Sequence, residues 1–109
     1  MQTVKEIYQL TKYYPVEERF GLVSQSNRAA VSIPSNIAEG LGRKHKNETL
    51  HFLHISRGSA YELETLLNIA VSVNIIDTQV FERINAQIER NLQIINGYIN
   101  FLKKATANG

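Results

Sequence analysis

The sequence has no cysteine and only two prolines, and it has no long apolar run. The lack of cysteine excludes disulfides, thiol nucleophiles and zinc sites built on thiolates. A membrane-spanning helix needs about 20 consecutive apolar residues, and the first residues have no apolar segment typical of a signal peptide. We therefore expect a cytoplasmic protein that does not bind membranes. Its length suits one domain, residues 1–109.

Glycine and proline divide the chain into four segments with helical periodicity, and no stretch alternates with the period of a half-buried strand. The predicted helices cover roughly residues 3–14, 22–43, 48–73 and 78–105, with Asn47 and Asp77 as N-caps of the last two. Short connections favour antiparallel neighbours. The predicted fold class is therefore all-α, an antiparallel up-down-up-down four-helix bundle whose second helix is kinked at Pro34.

Apolar residues at spacings of three and four predict which face of each helix is buried. Most of this predicted core is aliphatic, and the last helix supplies a continuous stripe from Phe81 to Leu102. Ser32 is expected to bond the backbone groups that Pro34 leaves free. The less obvious core assignments are Tyr8, Leu41, Ile55 and Val73, whereas Leu53 falls on a second, mixed stripe of the third helix.

The net charge of +2 is unevenly distributed. Residues 40–57 contain four cations against Glu48 alone, whereas residues 58–82 contain four acids and no lysine or arginine. Cations in a flexible turn can reach phosphates, so this basic segment is the candidate nucleic-acid site. It lacks the interleaved aromatic residues of single-strand binders and any recognition-helix pattern, and a solvated loop is the alternative. The candidate residues are Arg43, Lys44, Lys46 and Arg57.

A second candidate site is a polar arc on the second helix. At about 100° per residue, Arg28, Ser32, Asn36, Glu39 and Arg43 fall within an arc of about 80°. Short polar residues between two arginines suit a packed hydrogen-bond network better than an open surface. We interpret this arc as part of an oligomer interface in which the arginines pair with acids such as Glu39, Glu62 or Glu64. A phosphate-binding surface is the alternative.

The spacing Glu48-x-x-His51-x-x-His54 is the one motif that could suggest a metal. Metal sites in helical bundles need a second Glu-x-x-His and further glutamates on facing helices, which this sequence lacks. No nucleophile, phosphate loop or paired acid–base motif is present either. We expect no metal, no cofactor and no enzymatic activity.

The run from Ser24 to Gly40, SQSNRAAVSIPSNIAEG, resembles a known family. Its members are four-helix-bundle proteins encoded in intervening sequences of bacterial 23S ribosomal RNA genes, and they are related to the accessory variability determinant of diversity-generating retroelements. The similarity continues through Arg43 and through residues 58–65. It implies a ring-shaped homopentamer in a nucleic-acid setting, since the retroelement relative binds nucleic acid and reverse transcriptase. It also implies that Arg28, Asn36, Glu39, Arg43 and Glu62 are signature polar positions of the family.

Two functions follow as expectations. The first is weak, sequence-nonspecific binding of RNA or DNA by an oligomer whose copies each contribute a basic turn. The second is a protein-interaction scaffold without nucleic acid, for which the acidic segment of residues 58–82 is the supporting feature.

Overall fold

The structure is a computed structural model that describes residues 2–108, with side chains placed for residues 2–105. The described residues form four α-helices and no strand, so the predicted all-α four-helix bundle is confirmed. None of these helices is both long enough and apolar enough to cross a bilayer. The helices are α1 (Gln2–Thr11), α2 (Ser24–Leu41), α3 (Lys46–Ser72) and α4 (Thr78–Asn108).

The helix ends differ from the prediction by one to three residues at several places. The first helix stops at Thr11 rather than at Tyr14, because the chain tightens into i→i+3 bonds from the amides of Tyr13 and Tyr14. A 3₁₀ turn (Val16–Glu18) and a π-helical turn (Arg19–Val23) then lead directly into α2.

The third helix begins at Lys46, so Asn47 lies inside it and was wrongly predicted to be its cap. His45 precedes the helix in an extended conformation, and its carbonyl accepts the amides of Glu48 and Thr49. The prediction for the fourth helix is confirmed, since the Asp77 carboxylate accepts the Val80 amide at 2.8 Å.

The core lies between α2, α3 and α4, and α1 covers one part of it. Four predicted core residues are exposed instead, and Leu53, assigned to the mixed stripe, is 2% exposed. For Ile55 and Leu53 the reason is that α3 packs against both α2 and α4, so its buried face is centred between them, a direction that one helix's periodicity does not fix. Leu41 and Val73 lie at helix ends, where less of the bundle covers them. The exposed four are Tyr8 at 41%, Leu41 at 55%, Ile55 at 39% and Val73 at 53%.

Helices α2 and α3 are joined by hydroxyl hydrogen bonds as well as by apolar packing. The Ser56 hydroxyl donates to the Ile33 carbonyl at 2.8 Å, in a fully buried position. The helix continues past Pro34 to Leu41, and the kink there stays a prediction. The role expected for Ser32 was wrong, because its hydroxyl bonds Ser59 at 2.7 Å instead of the backbone beside the proline.

Helix α1 runs antiparallel to α4 but reaches only part of its length. Glu6 pairs with Arg83 at 2.6 Å, and the Thr3 hydroxyl accepts from Asn91 at 3.1 Å. At 1.5 Å per residue, α1 is about 15 Å long and α4 about 46 Å. The start of α1, α2 and α4 together border a groove that α1 does not fill, and α4 lines it from Gln87 to Ile94.

Candidate nucleic-acid interface

The basic turn between α2 and α3 is held by a close approach of the two helices. Gly40 is buried, and a methyl group on it would lie 3.0 Å from the Phe52 Cβ atom. The Thr49 hydroxyl donates to the Gly40 carbonyl at 2.8 Å, and the Arg43 amide donates to the same carbonyl at 3.2 Å. This contact fixes both ends of the turn, so residues 42–45 lie exposed at one end of the bundle and Lys46 follows as the exposed first residue of α3.

Arg43 is the most constrained cation of the turn. Its guanidinium donates to the Glu39 carboxylate at 3.0 Å, one helical turn earlier. The guanidinium carbon also lies 4.8 Å from the centre of the Phe52 ring, within the range of a cation–π contact. Arg43 is thus held in place and partly neutralised, although its side chain remains 40% exposed.

Lys44 and Lys46 differ from Arg43 because both are exposed and neither has a hydrogen-bond or ion-pair partner within residues 2–105. Their ammonium groups can move to follow an irregular line of phosphates. Of the four predicted residues, these two best match the expected chemistry.

Arg57 lies apart from the turn, about 16 Å further along α3. It is half-buried between helices, where it donates to the Asn96 side chain at 3.1 Å and contacts the His54 Nδ1 atom at 2.8 Å. These contacts link α3 to α4. The structure therefore does not bring Arg57 together with the turn lysines.

The end of α4 supplies cations that the sequence-based candidates omitted. Lys103 and Lys104 are exposed, and Lys103 is near enough to His54 to affect its titration. Burial, followed by the positive charges of Arg57, Lys103 and His51, lowers the pKa of His54 below its usual 6.5. The antiparallel topology could have predicted this, because it places the end of α4 beside the start of α3.

The predicted polar arc divides into two parts in the structure. One part is a hydrogen-bonded network between α2 and α3: the Asn36 amide donates to the carbonyl and the hydroxyl of Ser32, at 2.8 and 2.9 Å, and Ser32 bonds Ser59. Arg43 pairs with Glu39 within the same helix, and the pairing of arginines with acids across an oligomer interface stays a prediction. The arc therefore stabilises helix pairing along one side of α2.

The other part of the arc carries unpaired charge. Arg28 and Glu62 line one shallow depression between α2 and α3, together with Gln25 and Ser59. Within the described side chains, neither Arg28 nor Glu62 makes an ion pair or a hydrogen bond. Opposite charges that share a depression without bonding each other are available to groups outside the chain.

The histidine motif of α3 does not form a compact donor set. His54 is engaged by Arg57, and His51 packs edge-on against Phe52 with ring centres 5.4 Å apart. Across the described residues, no three histidine, aspartate or glutamate side chains are grouped so as to hold a metal ion.

Comparison with known proteins gives a family and a fold. The family model described as 23S rRNA-intervening sequence protein matches residues 1–97. No curated protein matches the chain in sequence. A similar solved structure is the 1.70 Å crystal structure of a protein with unknown function from the S23 ribosomal protein family of Bacteroides thetaiotaomicron VPI-5482. It is 21% identical, with a TM-score of 0.77 over 88% of this chain and 87% of that chain, which shows a shared fold.

Proposed function

Because the chain belongs to the 23S rRNA-intervening sequence protein family, we propose that it is a cytoplasmic, non-enzymatic, oligomeric accessory protein that binds nucleic acid weakly through phosphates. The single observation that carries the proposal is the pair of exposed lysines without bonding partners where α2 meets α3. Lys44 lies in the turn and Lys46 is the first residue of α3, and the antiparallel packing of α4 brings its last cations, Lys103 and Lys104, towards the same end of the bundle. This arrangement presents charge without base-reading geometry, so binding is independent of sequence.

Oligomerisation is the second part of the proposal. One chain has a net charge of +2, which attracts a polyanion poorly, whereas the homopentamer implied by the family resemblance would carry about +10. Repeated basic ends on one assembly allow several simultaneous phosphate contacts. The unpaired Arg28 and Glu62 support assembly, because an interface offers each of them an opposite charge. Arg28→Ala should therefore weaken the oligomer without removing any of the lysines that contact RNA.

The proposal is tested by titrating a labelled single-stranded RNA and a labelled DNA duplex, following fluorescence anisotropy at low and at physiological salt. Binding should fall steeply with salt, since each neutralised phosphate releases a condensed counterion. The double variant Lys44→Glu, Lys46→Glu should weaken binding to all sequences by about tenfold or more, with an unchanged helical circular dichroism spectrum.

The matched control is Lys5→Glu, Lys12→Glu, which makes the same charge change on exposed positions of α1 and its end. This control should weaken nucleic-acid binding much less than the Lys44→Glu, Lys46→Glu variant does. Equal losses in the two double variants would mean that net charge, rather than the basic end, determines binding.

The alternative function is a protein-interaction scaffold. It is favoured by the run of four acids without a cation in residues 58–82, where Tyr61 and Ile69 are also exposed at 49% and 42%. Absence of binding to RNA and DNA at low salt would reject the nucleic-acid proposal and favour this one. A partner retained in a pull-down after nuclease treatment would support the same conclusion.

A further inference from the structure

The connection between α1 and α2 exposes three large apolar side chains in eight residues. Tyr13 is 87% exposed, Val16 74% and Phe20 89%. We call these three residues the connector knob. Scattered apolar residues on a surface are ordinary, but a cluster of nearly complete exposure marks a surface that another molecule covers. The turn that carries Phe20 is held by a hydrogen bond, in which the Glu18 carboxylate accepts the Leu22 amide at 3.4 Å.

A second unfilled apolar feature lies on another part of the chain. It is the α2–α4 groove, the space beside the start of α1 that α1 leaves open. Its volume is about 520 Å³, and its apolar walls are Ile33, Pro34, Ile37 and Ile94. Ile94 is 70% exposed, and the same face of α4 continues through Tyr98 and Phe101, which are 40% and 64% exposed.

The groove and the knob are complementary in shape, and one acid of the knob segment, which also carries the exposed Arg19, can meet a cation of the groove. The groove is a concave apolar site within the size range of ligand clefts, about 300–1,000 Å³, and the knob is a convex apolar one. Arg90 lies on the rim of the groove, and Glu17 is the exposed acid within the knob segment. Neither makes an ion pair or a hydrogen bond to another described side chain.

We propose that the connector knob of one copy docks into the α2–α4 groove of a second copy, with Phe20 against Ile94 and Glu17 beside Arg90. One chain cannot satisfy its own groove, because Phe20 and Pro34 are separated by about 20 Å of helix. The two patches differ, so the contact is head-to-tail, and repetition of a head-to-tail contact produces a closed ring or a filament. This inference rests on the proposed oligomer and assigns one pair of the surfaces that form it, in addition to the depression that holds Arg28 and Glu62.

The test is a charge swap measured by light scattering over a dilution series. Glu17→Arg and Arg90→Glu should each raise the concentration at which the assembly dissociates by about tenfold or more, because like charges then meet at the contact. The double variant Glu17→Arg, Arg90→Glu should restore the wild-type midpoint. Phe20→Ser and Ile94→Ser should each give the 12.4 kDa monomer with an unchanged circular dichroism spectrum.

Tyr61→Ser is the control, since Tyr61 is 49% exposed, lies on α3 and belongs neither to the knob nor to the groove lining. Dissociation by this variant as readily as by Phe20→Ser would overturn the assignment, as would a double charge variant no better than its parents. The two proposals fail differently. A monomeric wild-type protein refutes the oligomer itself, whereas an oligomer that survives Phe20→Ser and Ile94→Ser refutes only this pair of surfaces.

Discussion

Gly40 shows how a single missing side chain sets the geometry of the basic end. Because a Cβ atom there would meet the Phe52 Cβ at 3.0 Å and the Thr49 carbonyl at 3.2 Å, Gly40→Ala must push α2 and α3 apart. We expect it to lower the free energy of unfolding by about 1–3 kcal/mol in urea titrations at fixed protein concentration. Gly58 has open space at the same position, so Gly58→Ala should be neutral or stabilise by up to about 1 kcal/mol. Equal stability of the two variants would contradict this account of the turn.

Glu64 makes stability depend on pH. Its hydrogen bond to Glu89, then burial and then the Glu89 charge, raise the pKa of Glu64 from 4.5 to about 7, against the opposing hydrogen bond from Asn85. Between these values the native protein holds a proton that the unfolded chain lacks, so this group makes the free energy of unfolding fall as pH rises from about 4.5 to about 7. Glu64→Gln should remove that fall and be more stable than the wild type at pH 8.

The measurement is urea unfolding at several pH values, with Glu62→Gln as the matched control two residues away on α3.

His54 changes the stability with pH in the opposite direction. Its native pKa lies below 6.5, so in the interval just below 6.5 the unfolded chain binds the extra proton and stability rises with pH. In the Glu64→Gln variant the free energy of unfolding should therefore only rise with pH in this interval, as expected for His54. If the variant keeps the pH dependence of the wild type, the pair of Glu64 and Glu89 is not the cause of the fall.

At the scale of helices, α1 depends on its contacts. Ten residues are too few for a stable isolated helix, which needs about 12–15 even in favourable sequences. Ile7, fully buried, is its main anchor. Ile7→Ala should cost about 2–5 kcal/mol and, in hydrogen exchange, expose the amides of α1 before those of α3. Tyr8→Ala, at a 41% exposed site, is the control. Uniform loss of protection along the chain would show that α1 does not detach separately.

The helices were predictable because their signals are local. Pro15, the glycines near residue 41 and the Asp77 cap each act within a few residues, and the stripe of α4 from Ile84 to Ile99 repeats at the helical period. Periodicity could not show which face of α3 meets its neighbouring helices. Ile55 was predicted to be buried and Leu53 to lie outside the core, and both predictions were wrong. A helical wheel of α3 alone does not show that α2 and α4 pack against it from two sides.

Only the part of the candidate site that is local in sequence could be predicted. Lys44, Lys46 and Arg43 are neighbours in sequence, so they could be found together. Lys103 lies more than fifty residues away and approaches the first half of α3, at His54, only through the antiparallel packing of α4. Arg57 was grouped with the turn by sequence proximity, whereas its contacts with His54 and Asn96 depend on which face of α3 meets α4.

For the molecule as a whole, assembly should be visible as a dependence of stability on concentration. Association of folded chains stabilises the native state by up to about 2.7 kcal/mol for a hundredfold excess over the dissociation constant. We expect the Tm from scanning calorimetry to rise by several degrees over a hundredfold increase in protein concentration. Phe20→Ser should give a Tm that is independent of concentration. A constant Tm for the wild type, in a range where light scattering shows an oligomer, would contradict the linkage.

The hydrogen bond between Thr3 and Asn91 also bears on the order in which the native contacts form. These residues are 88 positions apart, whereas the Thr49 to Gly40 bond spans nine. Closing a short loop loses less chain entropy than closing a long one, so the α2–α3 hairpin has the earlier opportunity to form. During synthesis, α1 can meet α2 early, through contacts such as the Thr11 to Asn27 hydrogen bond at 3.1 Å, whereas its contacts with α4 wait until residues 83–91 have been made. Docking of α1 against α4 is therefore a late step, and loss of the Thr3 to Asn91 hydrogen bond should speed unfolding more than it slows folding.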